Sequence, residues 1–530
     1  MPVESKPLGL FLFYFGSKVG CKRLDTFTGM VMNEGILMQR LEDLAKSSTR
    51  LKSRIPKPDM VEEYRQTMLE YGYVLPEQFK YELEDTQRRL QSFTRGQPAY
   101  TIILELLAEI DEMSRNRDPR SPEFVTYDVG TVLFVSILAG MCGYQSDEDV
   151  ALFWLVHNLE LQMIVPNMPS PRHVISAETV RTIRRIANED VMFELFKKYF
   201  DSVKTIVREM VEQQTLEVSH FRHLIGGDGQ ELRASYRKGS YNRKKKGGQG
   251  VTLFDCDSNE VIGFTTVVKK NQESEAFTRI LNSISVKDDA IFYADAINTK
   301  ASLIDYLNIR KLDWIFTVKT NGGNKKLNQA IAVAFADAKN QKNMFCSERT
   351  KKMGGRIESF TYRILPADVL DEEHSNRYGK TRSVVMVEKK TQLIRIRKGE
   401  EEKVPKPSKT VRFYITSLKF NEDNCEQLIH SISVRWRYEV SHNTIDCVFL
   451  QDRENLCDTD HIEHTVGKNK ILYNVLTYVR QRLSEQVFYA RKRRTTSIKM
   501  LSYNRVTEIL SNSFFSAVCY FIDYMMSDRN

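Results

Sequence analysis

Apolar residues recur at helical spacing, with charges between them, in "EGILMQRLEDLAKSSTRLKSRI" (34–55) and "EQFKYELEDTQRRLQSF" (77–93). That is the pattern of amphipathic helices. Two prolines in "SRIPKPDM" interrupt it and read as a linker. Residues 1–110 are therefore expected to form a helical N-terminal region. At its start, "LGLFLFYFG" is a short apolar run. It falls well below the about 20 residues that a bilayer crossing needs. Glu4 precedes it and no A-x-A-like cleavage site follows, so it reads as a buried strand or helix.

A second helical block is expected over 111–205. Its run "VGTVLFVSILAGM" is apolar on every side, and the capping-like "QSDEDV" follows; both favour a buried helix. "MPSPRHVISAETVRTIRRIANED" reads as a further helix, with Arg181, Arg184 and Arg185 along one cationic face.

From about 220 the pattern turns to β. "GVTLFDCDSNEVIGFTTVVKK" reads as two strands joined by a tight turn at Asp257-Ser258-Asn259. The strands "DAIFYADAI" and "DWIFTVK" alternate with the helices "SEAFTRILNSI" and "ASLIDYLNIRK", which indicates a mixed α/β sheet. Strands return over about 345–420 in "RIESFTYRIL", "RSVVMVEKK", "LIRIRK" and "VRFYITSL". "CEQLIHSISVRWRYEVSHNTIDCVFL" is helical again, as are residues 476–530. "SFFSAVCYFIDYMM" is broken by Asp523 and reads as a packing helix, so no membrane partner is expected.

At 530 residues the chain has room for roughly three or four domains. The net charge of +9 is modest for that length and favours a polyanionic partner without specifying one. Eight cysteines are scattered with no C-x-x-C pair, which argues against a zinc site of standard spacing and for a reducing compartment.

Three acids stand out. Asp228 lies in "GGDGQELRAS", Asp295 ends the strand "FYADAI", and Glu439 lies on a downstream helix; they are 67 and 144 residues apart. Taken singly, they fit a turn acid, a strand-end cap and a surface salt-bridge partner. Brought together, three carboxylates need a cation to stay ionised. Hard oxygen donors suit Mg²⁺ or Mn²⁺. Two such ions about 4 Å apart serve phosphodiester chemistry.

Arg237, Lys238, Arg243, Lys244, Lys245 and Lys246 lie in "YRKGSYNRKKKGGQG" with no acid among them, and "ARKRRTTSIK" is a second basic run. Both are candidates for phosphate contact. The alternatives are a solvated hairpin loop or a nuclear-localisation-like tract.

Several stretches, in order, resemble a bacterial insertion-sequence transposase of the DDE type, closest to the H-repeat-associated subgroup. "DGQELRAS" resembles D-G-K-x-x-R-G-S, and "FYADAINTK" resembles a strand ending in D-A-x-x-x-Q. "DWIFTVKTNGGNKKL", "GGRIES" and "RWRYEVSHNTIDCVFLQD" are similar to three further motifs of the subgroup. The stretches "DPRSPEFVTYDVGTVLFVSILAGMCGYQSDEDVALF" and "MPSPRHVISAETVRTI" resemble its N-terminal associated domain, so the likeness covers about 111–475. Departures include Gly354 in place of His, Gln230 in place of Lys, and a spacing one residue short before His442.

The resemblance implies a ribonuclease-H-like catalytic domain over 220–475, with a β-rich insertion at about 345–420 and helical regions before and after it. The helical domain at 111–205 would bind DNA. Asp228, Asp295 and Glu439 would be the catalytic acids and hold two Mg²⁺ or Mn²⁺ ions. Lys319, Arg356 and Arg435 would contact phosphates. The partners would be double-stranded DNA, as transposon ends and target, and a second copy of the chain. A bacterial protein of this kind would be cytoplasmic and nucleoid-associated. Two other classes stay open: a host-adapted DNA-binding protein without activity, and a defence nuclease.

Overall fold

The sheet that dominates one half of the molecule is built from segments whose sequences look little alike. The structure is a computed structural model. It describes residues 98–166, 168–170, 173–200, 221–232, 248–267, 272–286, 289–320, 324–353, 355–393, 407–451, 459–490 and 500–526. The two N-terminal helical patterns, the 237–246 basic run and most of the second basic run lie outside these residues. The chain forms two units. The helical unit takes 98–200, 443–451, 459–490 and 500–526, and the sheet unit takes 221–231 and 248–442.

In the helical unit, the all-apolar run forms the helix Val129–Met141, buried at each of its 13 residues. Phe134 meets Phe521 edge to face, with ring centroids 5.5 Å apart. Ser146 and Asp149 close a capping box at the start of the helix Asp147–Val156, satisfying amide groups that the first turn leaves open.

The expected cationic face on the helix Ala177–Ile186 is corrected by its partners. Arg184 is only 2% exposed, with Nη1 2.8 Å from Asp147 Oδ1. Nε of Arg181 lies 3.1 Å from Asp147 Oδ2, and Arg181 also pairs with Glu178. Arg181 and Arg184 are neutralised inside the unit, because a buried guanidinium needs a matching carboxylate. No helix of the described residues is long and apolar enough to cross a membrane.

The sheet unit carries nine strands: β1 Leu224–Glu231, β2 Gln249–Asp255, β3 Glu260–Val267, β4 Ile291–Ala294, β5 Asp313–Val318, β6 Phe345–Met353, β7 Arg356–Pro366, β8 Ser383–Leu393 and β9 Ser408–Thr416. Their order is β3-β2-β1-β4-β5-β9-β8-β7-β6. β1, β4 and β5 run parallel, and the other pairings are antiparallel.

Parallel neighbours need a crossover, and the helices Glu273–Ser283 and Ala301–Ile309 lie on those connections. The 345–416 strands do not form a separate sheet. They extend the same one through the antiparallel β5–β9 pair, Ile315 opposite Thr416. β4 (IFYA) and β5 (DWIFTV) are largely buried and read as short apolar runs with no clean alternation.

β6 (FCSERTKKM) is a strand in spite of its charges. It lies at the edge of the sheet, where charged side chains protect the open backbone. The long helical pattern after 420 is two helices, Glu422–Val434 and Trp436–Cys447, joined at Arg435.

Candidate active site

Asp228 is neither in a turn nor at a strand end. It is the fifth of the eight residues of β1, inside a strand that contains three glycines. The glycines make room for rings. A Cβ at Gly226 would come 2.9 Å from Tyr438 Cδ1, and one at Gly227 would come 2.9 Å from Phe277 Cε1. Since side chains alternate along a strand, Tyr438 covers the face that carries Gly226 and Asp228, and Phe277 covers the other.

Asp295 directly follows β4. The register pairs Gly226 with Tyr293 and Gly227 with Ala294, so Asp228 and Asp295 come next on neighbouring parallel strands. Strands are about 4.8 Å apart in that direction. Tyr293 lies on the same face, 6.0 Å from Tyr438 between ring centroids, and its hydroxyl bonds Thr317 Oγ1 at 2.8 Å.

Glu439 arrives from across that face, on the residue after Tyr438 in the helix Trp436–Cys447. Arg435, 2% exposed, donates from Nη1 to Glu439 Oε1 at 3.0 Å. Burial lifts the Glu439 carboxyl above the usual carboxylate range. Arg435 and Arg412 pull it down, and the negative charge of Asp228 adds to the lift. The fold thus brings the three acids to one face, where Glu439 feels Asp228 directly.

His442, one turn beyond Glu439, places Nδ1 3.3 Å from Asp228 Oδ2. The amide of Gly229 donates to Asp228 Oδ1 at 2.9 Å. Apart from its place in a motif, nothing in the local pattern around His442 announces this role.

Three carboxylates and an imidazole fit a hard or borderline divalent ion by donor type. Among the described residues, however, a set of three ligand-type atoms lies within 4.8 Å of one another elsewhere, at His223, Asp255 and Asp257. That set stands at the beginning of β1. Its carboxylates are occupied: His223 Nδ1 lies 3.0 Å from Asp255 Oδ2, and Asp257 Oδ2 accepts the Leu224 amide at 2.8 Å. Burial alone would raise Asp255, but His223 and the amides of Ser258 and Asp257 outweigh it and hold the carboxyl below its ordinary value. Asp255 and Asp257 tie the β2–β3 turn to β1.

Of the other candidate residues, Lys319 follows β5 and is half-buried. Arg356 opens β7, with Nε 2.9 Å from Glu358 Oε1. Arg237, Lys238, Arg243, Lys244, Lys245 and Lys246 lie outside the described residues.

Beside Arg435 the structure holds a cavity of about 300 Å³ that the sequence did not announce. Strands β6 to β9 supply Lys351, Phe360, Lys389 and Arg412, and the two helices supply Ser433, Arg435 and Trp436. The only local signal was the alternation of cations with hydroxyl and aromatic residues in β8 and β9.

No family model matches the chain, and no curated protein matches it. Among solved structures, it is similar to one described as "Cryo-EM structure of piggyBac transposase synaptic complex with hairpin DNA (SNHP)". The identity is 11% over 80% of this chain and 79% of that one, with a TM-score of 0.34.

Proposed function

We propose that the sheet unit is a ribonuclease-H-like catalytic core, and that the chain is a DNA transposase of the DDE type. The observation that carries this reading is the placement of the acids. Asp228 and Asp295 follow paired positions of adjacent parallel strands, and Glu439 sits on a helix that covers the same face. The order β3-β2-β1-β4-β5, with β1, β4 and β5 parallel, supports the fold part of the reading. The run β6 to β9, entering between the second acid and the third, supports the insertion.

Asp228, Asp295 and Glu439 would hold Mg²⁺ or Mn²⁺, and Glu439 has an oxygen left after Arg435 takes Oε1. When bound, two such ions supply activation of the attacking oxygen and stabilisation of the leaving one. The chain's own groups position the acids. The Gly229 amide fixes one oxygen of Asp228, His442 stands at the other, and Arg435 fixes Glu439. Lys319, Arg356 and the cations at 237–246 would hold the DNA backbone, which positions without reading sequence. Joining two element ends to a target needs two copies of the chain in the assembly.

The test is a paired measurement of DNA-end binding and Mg²⁺-dependent cleavage. Asp228→Asn, Asp295→Asn and Glu439→Gln should each lower cleavage by orders of magnitude and leave binding in place. Wild-type protein that binds ends but cleaves with neither Mg²⁺ nor Mn²⁺ would favour the host-adapted binder. Cleavage undiminished in Asp228→Asn would remove this residue from the chemistry.

A further inference from the structure

Behind the acids, on the other face of β1, lies a carboxylate that the catalytic reading does not use. Glu273 opens the helix Glu273–Ser283 and is only 2% exposed. Both of its oxygens are taken. Gln249 Nε2 donates to Oε1 at 2.6 Å, and Asn298 Nδ2 donates to Oε2 at 2.7 Å. A carboxylate is costly to bury, and hydrogen bonds to both oxygens offset that cost.

The two donors lead to the two aspartates. Asn298 ends the 3-10 turn Ala296–Asn298 that starts from Asp295, and its backbone amide donates to the Asp295 carbonyl at 2.9 Å. Asn298 Oδ1 accepts from Ser274 Oγ at 3.1 Å, so two consecutive residues of one helix hold both ends of this side chain. Gln249 opens β2, opposite Glu231 of β1. Gln249 and Glu273 together fill the place where a side chain at position 229 would stand. A Cβ at Gly229 would collide with Gln249 Nε2 and come 2.6 Å from Glu273 Oε1. Gly229 is also the residue whose amide holds Asp228 Oδ1.

Side chains alternate along a strand, so this contact lies on the side of β1 away from the Asp228 carboxylate. Glu273 is therefore not placed to ligate an ion beside Asp228. It is placed to set where the residues after the two aspartates stand. Without its carboxylate, the Gln249 and Asn298 amides would lose their acceptor in the interior, which is costly. The Asp295 turn would lose a tie to the helix, and space would open behind Gly229.

We propose that Glu273 is a positioning residue of the metal site, bridging the strand behind Asp228 to the turn behind Asp295 and so fixing their relative placement. This rests on the reading of Asp228 and Asp295 as metal ligands.

The experiment uses the full chain, with Mn²⁺ alone as the probe. Isothermal titration gives the affinity, and the thermal transition of each variant is recorded beside it. Asp228→Asn identifies the Mn²⁺ held at the acids, since an ion bound elsewhere would not respond to it. Glu273→Ala removes both bridges. Glu273→Gln keeps the shape, and rotation of the Gln249 amide brings its oxygen to the new donor. Phe335→Leu trims a buried ring stacked on Phe413 in the helix Lys325–Ala336 and controls for lost stability alone.

Glu273→Ala should weaken Mn²⁺ binding by about tenfold, the lower end of what losing a group behind a metal ligand costs. Glu273→Gln should return the affinity to near the wild-type value. Phe335→Leu should keep it although its thermal transition falls. If Glu273→Ala does not fold, Asn298→Ala and Gln249→Ala each remove one bridge and should each weaken binding. The proposal is overturned if the affinity is unchanged in folded Glu273→Ala or in both single-bridge variants. It is also overturned if Phe335→Leu loses as much, or if Glu273→Gln is as weak as Glu273→Ala. Affinity lost in Asp228→Asn but kept in Glu273→Ala removes this inference alone. Wild type that takes up no Mn²⁺, or Asp228→Asn that binds it equally well, removes the metal-site reading and this inference with it.

Discussion

Nδ1 of His442 lies 3.3 Å from Oδ2 of Asp228, while the amide of Gly229 donates to Oδ1 at 2.9 Å. Both oxygens of the central acid are therefore oriented by the chain itself. Groups that orient a ligand tune its metal affinity, typically by about 10–100-fold when removed. His442→Ala should weaken Mn²⁺ binding by about that factor, as read by isothermal titration, with the thermal transition little changed. Equal Mn²⁺ affinity in the variant and the wild type would show that His442 does not position Asp228.

Gly226 faces Tyr438 on the helix that bears Glu439. Gly226→Ala sets a methyl 2.9 Å from the Tyr438 ring and 3.3 Å from Cys256 Sγ, both of them buried. Overpacking of this kind costs about 1–3 kcal/mol. Gly379→Ala is the control, since nothing lies within 4 Å of its added carbon. Urea unfolding should separate the two, and equal midpoints would contradict the close approach.

Arg184 and Asp147 form a buried ion pair at 2.8 Å in the helical unit. Removing Asp147 strands the Arg184 charge in the interior, at about 3–5 kcal/mol. Asp147→Leu should lower the unfolding free energy by that order, whereas Arg184→Met leaves Asp147 paired with Arg181 and should cost less. The double variant Arg184→Met with Asp147→Leu should recover much of the loss, because no charge is then left alone. A double variant as unstable as Asp147→Leu alone would mean that shape, not charge, dominates this position.

The run Lys244 to Lys246 is proposed to contact DNA backbone on its composition alone. Changing these three lysines to Gln should weaken binding to all duplex sequences alike. The slope of log affinity against log salt should become shallower by roughly one unit for each phosphate that is no longer neutralised. An unchanged slope would show that these lysines neutralise none.

Local pattern predicts an element well where that element decides its own fate. The run Val129–Met141 is apolar on every side, so it has to be buried, and the turn at Asp257–Asn259 carries its own backbone signal, with φ of 64° at Asn259. Where a distant partner decides, local pattern misleads. β1 looks like a turn because its glycines answer to Tyr438 and Phe277, far along the chain. β6 looks like a polar loop because its pairing with β7 is what makes it a strand. Arg181 and Arg184 look solvent-facing because Asp147, over thirty residues earlier, neutralises them. The placement of Asp228 and Asp295 at neighbouring positions depends on the parallel pairing of β1 and β4, which the local periodicity does not reveal.

The position of β1 and β4 inside the sheet governs how this molecule ages and fails. Each is laddered on both sides, β1 between β2 and β4, and β4 between β1 and β5, whereas among the described residues β6 has only β7 beside it. Amides in interior strands exchange with solvent mainly when the whole unit opens, and those at an edge exchange through local fraying. In deuterated buffer, the amides around Asp228 should outlast those of β6. Heating should then erode β6 before it disturbs the acids, and the Gly227–Ala294 pairing next to them should persist until the cooperative melting of the sheet.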